Sequence, residues 1–151
     1  MRFVVTTLAV SALAFNLSCL CAYAVDDRIV DPQAMAALMA KADQAQPKEQ
    51  CFLYAELVHQ MTELAGQQLS AGDQRASETL HLVQKYAEKI HMGVAEDGKK
   101  MKNAEQLMRH TEYRLNDILN AASYEDRQVL QSTLKQLEQV QTELMMQVFK
   151  K

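Results

Sequence analysis

Two carboxylate–imidazole steps, Glu56/His59 and Glu88/His91, have the residue types and spacing best suited to chemistry in this chain. Glutamate and histidine three apart on a helix can grip one metal ion, and paired copies of that step build dinuclear sites in four-helix bundles. The neighbouring pattern argues against such a site here. Taking Val58 as the centre of the apolar face, Glu56 points about 160° away, onto the polar face, and His59 sits at the edge. His91 faces inward near Ala87, whereas Glu88 lies at the boundary. In a hairpin turning near Gly72, His59 and His91 are offset by about 9 Å along the axis, too far to share an ion easily. Complementary inward carboxylates are not evident, although Glu105 and Glu112 lie near the edge of the apolar seam. His59, Glu88 and His91 are thus weak metal candidates, and the expectation is a chain with no metal and no cofactor.

The remaining reactive types read as packing groups. Methionines suit Cu(I) in an exported protein, but Met61, Met101 and Met108 fall on apolar seams, where a thioether is an adaptable core filler. Cys51 lies on an apolar face near a helix start, with no histidine or second cysteine close in sequence. It reads as a small buried hydrophobe, the alternative being a disulfide across a dimer. His81 and His110 project toward polar faces, and Tyr54, Tyr86, Tyr113 and Tyr124 are scattered. No Gly-x-Ser-x-Gly elbow, Cys-x-x-Cys-His haem site or glycine-rich phosphate loop occurs. The expectation is that the protein is not an enzyme.

The elements that position these residues begin after an export-like segment. Arg2, the apolar run Phe3 to Phe15 and the small-x-small pattern Ala22-Tyr23-Ala24 predict a signal peptide over 1–24, with an uncleaved anchor as its competitor. The run is short against the roughly 20 residues a bilayer span needs. Removing it takes Cys19 and Cys21 and shifts the formal charge from −3 to −4, because Arg2 leaves as well. One remaining cysteine excludes an internal disulfide. Charges alternate without a basic stripe, which argues against nucleic acid as a partner.

Residues 25–46 form a lead and a short helix, opened by Asp31-Pro32 as cap and first helical position. Residues 47–151 form the helical domain. Pro47 opens an amphipathic helix to Ser70, Gly72 stops it, and Asp73 caps the next. Ala76, Leu80, Val83, Ala87, Ile90 and Val94, then Met101, Ala104, Met108, Thr111, Leu115, Ile118 and Ala122, follow steps of three and four, broken only at Asp97. Because the seam keeps its phase, a continuous central helix over about 74–121 is favoured. It would be about 70 Å long. The alternative turns at Glu96-Asp97-Gly98 and gives an up-down four-helix bundle. Ser123 with Asp126 predicts a capping box for the last helix. A continuous helix would leave apolar surface for an antiparallel homodimer to close. No long-period repeat is read. The stretch "ELAGQQLSAGDQRASETL" has the Gly, Asp and Ala of a tetratricopeptide turn, with spacing one residue short and no second copy.

The blocks "QCFLYAELVHQMTELAG", "QKYAEKIHMG", "KNAEQLMRHTEYRL" and "LKQLEQVQTELMMQVF" resemble a group of uncharacterised exported bacterial all-α proteins, over about 47–149. The resemblance implies a bacterial, exported helical protein and transfers no site residue. Together these readings predict an all-α, periplasmic or secreted protein acting by contact with a protein partner or by self-association, with no membrane span once the signal is removed. A metal- or small-ligand-binding bundle and a chaperone-like envelope protein are the alternatives.

Overall fold

The computed structural model describes residues 31–92 and 98–150, with the side chains of His91 and Met92 left aside. The segments predicted as signal and lead therefore lie outside the described residues up to position 30. The described chain is all-α: α1 (Pro32–Gln44), α2 (Pro47–Ser70), α3 (Ala76–Met92), α4 (Gly98–Ala121) and α5 (Arg127–Phe149). None of these helices is long and apolar enough to cross a membrane.

Local chemistry sets the boundaries. Asp31 accepts from the Gln33 amide at 2.9 Å, and Pro32 follows at the first helical position, where its missing donor costs nothing. Pro47 separates α1 from α2 for the same reason. At the end of α2, Gly72 takes φ +67°, and the Gly72 and Asp73 amides donate back to Leu69 and Gln68 at 3.1 and 2.8 Å. This Schellman closure needs a residue free to be left-handed. The Asp73 carboxylate then accepts from the Arg75 amide at 2.9 Å. Ahead of α5, the Ser123 hydroxyl donates to Asp126 at 2.6 Å and accepts from the Asp126 amide at 3.4 Å. The two residues pair in the turn ahead of α5, but the reciprocal capping box is not made: Asp126 accepts from the Ser123 hydroxyl, and α5 starts at Arg127 with Asp126 as its cap.

The continuous central helix is not what the chain adopts. Gln68 of α2 accepts a hydrogen bond from Thr79 of α3 at 2.7 Å, and Gly66, half a turn away, lies against Ile118 of α4. In one straight helix Thr79 and Ile118 would stand about 58 Å apart. The chain instead folds back, and the seam of α4 is covered by α2 and α5 of the same molecule.

Two helical hairpins result, α2–α3 and α4–α5, stacked side by side. α2 packs on α4 and α3 on α5, whereas α3 and α4 make no packing contact although they follow each other in sequence. The stack is parallel, since Glu49 pairs with Lys100 and Glu63 with Arg114, both 51 residues on. α1 lies across α2. Burial repeats with the hairpins. Cys51, Tyr54, Ala55, Val58, Met61 and Ala65 are answered 50 residues later by Met101, Ala104, Glu105, Met108, Thr111 and Leu115. Leu80, Val83, Ala87 and Ile90 are answered at the same interval by Leu130, Thr133, Leu137 and Val140. The molecule is a tandem repeat of burial, which the reading of the sequence missed.

Candidate functional site

The face between α2 and α4 gathers titratable side chains from both helices. α2 contributes Glu49, His59 and Glu63, which fall within about 80° of one another around the helix. α4 meets them with Lys100, His110 and Arg114. Lys100 reaches Glu49 at 2.5 Å, and the Arg114 Nε donates to both oxygens of Glu63 at 3.1 and 3.0 Å. Between these two ion pairs the rings of His59 and His110 lie with centroids 5.4 Å apart and planes tilted by 50°.

His59 is held from behind. Its Nδ1 is 3.0 Å from the Oγ1 of Thr111, a fully buried hydroxyl that itself donates to the Leu107 carbonyl at 2.8 Å. A hydroxyl has one proton, and Leu107 takes it. Nδ1 must therefore be the donor to Thr111, and Nε2 carries the lone pair. Burial pushes the His59 pKa below its ordinary 6.5, with His110 and Arg114 adding to the shift and Glu63 opposing it. The ring is neutral at pH 7.

Of the three weak metal candidates, only His59 stands in a cluster, and its companion is His110. Glu88 is exposed, beside a groove of about 370 Å³ that α5 lines with Ser132, Gln136 and Val140 among others. The side chain of His91 lies outside the described residues. Among the described residues no three His, Cys, Asp or Glu side chains are grouped to hold a metal ion.

Cys51 is buried, and burial raises its thiol to about 11, so it is protonated at neutral pH. This matches the small-hydrophobe reading. Glu105, expected near the seam's edge, is in fact buried: it accepts from Arg109 one turn on and from Gln141 of α5 at 3.0 Å. A second polar knot joins three helices. Asp43 of α1 accepts from the Tyr54 hydroxyl at 3.0 Å and from Lys89 at 2.7 Å, and the ammonium lies 5.1 and 5.0 Å from the centroids of Tyr54 and Tyr86. These tyrosines pack, as expected, but they also embrace a cation. Sequence spacing could not reveal the knot, because α1 reaches α3 only by lying across α2.

The class the fold defines is a two-hairpin helical stack with a histidine pair between its parallel first helices. No family model, curated protein or solved structure matches the chain.

Proposed function

We propose that this is an exported, non-enzymatic helical protein that works by binding another protein. The observation that carries the reading is the last stretch of α5. Met145, Met146 and Phe149 are 36%, 49% and 75% exposed there, within about one turn, while the other long apolar side chains among the described residues are mostly buried. Apolar side chains gathered at one place on a surface mark contact sites more often than scattered ones do. A groove of about 470 Å³ beside Met146 is lined with Lys135, Glu138, Gln139, Thr142 and Glu143, so the apolar patch has a charged rim, the usual anatomy of a protein interface.

Export is supported by the apolar run and the Ala22-Tyr23-Ala24 pattern. The periplasm or the medium is the compartment that follows. A client-holding groove has less support, because the seam that would line it is filled by α2, α3, α4 and α5 themselves.

The test pairs cross-linking of the native protein in its envelope with the variant Met146→Glu/Phe149→Glu. The expected result is a discrete adduct that the variant loses while its helical content and melting temperature stay unchanged. Either no adduct or an adduct indifferent to the variant overturns the reading. N-terminal sequencing of the exported protein is expected to begin at Val25.

A further inference from the structure

We propose that His59 and His110 form a two-histidine site for a divalent transition-metal ion of the imidazole-preferring kind, represented by Zn(II), clamping the two hairpins together. The first argument is distance. Zinc sits about 2.0–2.1 Å from an imidazole nitrogen, so two rings sharing one ion at a tetrahedral angle have centroids about 5.2 Å apart. The rings of His59 and His110 are 5.4 Å apart.

The second argument is orientation. Histidine ligands commonly donate their other ring N–H to a fixed acceptor, which sets the tautomer and aims the free nitrogen. Thr111 does this for His59, and the Leu107 carbonyl fixes the Thr111 hydroxyl in turn. The chain thus builds a two-step support behind a half-buried imidazole and leaves its Nε2 free. His110 is exposed and sits on the solvent side, where it can turn to complete the pair and where water can fill the remaining positions.

The third argument is charge. Arg114 is a cation whose charge acts on His59, and both oxygens of Glu63 accept from it. The arginine's field is therefore partly neutralised before an ion arrives. Thr111 adds no charge. With no third side chain grouped there, solvent completes the coordination, and the site binds reversibly without being a permanent structural centre.

The experiment uses the full chain carrying His81→Ala and His91→Ala, so that this pair holds the only histidines. Zn(II) is titrated at pH 7.5 by calorimetry, alongside ¹⁵N detection of the two imidazoles. The metal-free spectrum is expected to show His59 as the Nδ1–H tautomer. Zinc is expected to bind one to one and to move a ring nitrogen of His110 together with Nε2 of His59. His110→Ala, at an exposed position, is expected to weaken binding at least tenfold without lowering the melting temperature. Thr111→Val is expected to weaken it by about tenfold through His59's orientation. Saturating zinc is expected to raise the melting temperature of the parent and not of His110→Ala. The proposal is overturned by the absence of binding at 100 µM zinc, by binding that His110→Ala leaves intact, or by shifts confined to one ring.

Discussion

Thr111 and Thr133 hold equivalent places in the two parallel interfaces, and the contrast between them shows what sets α2·α4 apart. Each threonine is fully buried, each donates to the carbonyl one turn earlier on its own helix at 2.8 Å, and each accepts from a side chain of the facing helix. For Thr133 that donor is the amide of Gln84, at 2.9 Å. For Thr111 it is the imidazole of His59, at 3.0 Å. The same device therefore locks two interfaces. Across α3·α5 the lock is neutral throughout, with Gln136 donating to the Gln84 carbonyl at 2.9 Å. Across α2·α4 it holds a group that can bind a proton or a metal, flanked by two ion pairs. One interface only fastens, and the other can respond.

If the two interfaces are alike apart from those polar groups, their apolar parts should fail equally. Leu115 and Leu137 are both fully buried, one in each second-hairpin helix. Leu115→Ala and Leu137→Ala should each cost about 3 kcal/mol, within the range for buried leucine truncation. Urea melts of the two variants check this. A difference larger than about 2 kcal/mol would mean that one interface collapses around its cavity and the other does not.

The threonines themselves should separate the interfaces by a smaller amount. Thr111→Val keeps the shape but strands the N–H of His59, a loss of about 1–2 kcal/mol. Thr133→Val should cost less, under about 1 kcal/mol, because Gln84 keeps a second acceptor, Ser132 at 3.0 Å. The ranking is the prediction, and equal losses would show that His59 finds another acceptor when Thr111 is gone.

How much of this could be read from residues alone depends on the range of the interaction. Asp31-Pro32, Pro47 and Gly72 act within a few residues, and the helix α2 (Pro47–Ser70) was legible to its ends. That α3 and α4 pack as separate helices is harder to read, because the apolar phase carries over from one to the other. Phase records which face is buried and says nothing of whether α2 or a continuing helix does the burying. The repeat was hidden by its chemistry. Burial recurs at 50 residues, but Ala55 is answered by Glu105 and Met61 by Thr111, so identities such as Leu80 and Leu130 mark it only weakly. His59 was rightly placed at a helix edge and His110 on a polar face. Their meeting followed only from the parallel stack.

The ion pair between Glu63 and Arg114 tests whether charge contributes to the responsive interface. Both side chains are about a third exposed, which limits the pair to roughly 0.5 kcal/mol. A double-mutant cycle with Glu63→Gln and Arg114→Gln should return that coupling in low salt and lose most of it in 0.5 M salt. The corresponding cycle between Gln84 and Thr133 should be indifferent to salt.

The smallest effect concerns α1, which belongs to neither interface. Asp43 joins it to Tyr54 and Lys89, and its hydrogen bond from Lys89 holds the carboxyl below its ordinary 3.8, with Tyr54 adding to the shift. A lowered carboxyl pKa stabilises the folded chain only while the group is ionised. The contribution is therefore complete above about pH 4 and disappears as the pH falls through the lower folded value. Asp43→Asn should show this as a small deficit in stability at pH 6 that closes below pH 3.8. Hydrogen exchange should place the loss in α1 and at the start of α2. The locks at Thr111 and Thr133 are built from groups other than Asp43, so protection along α4 and α5 should be the same in the variant and the parent.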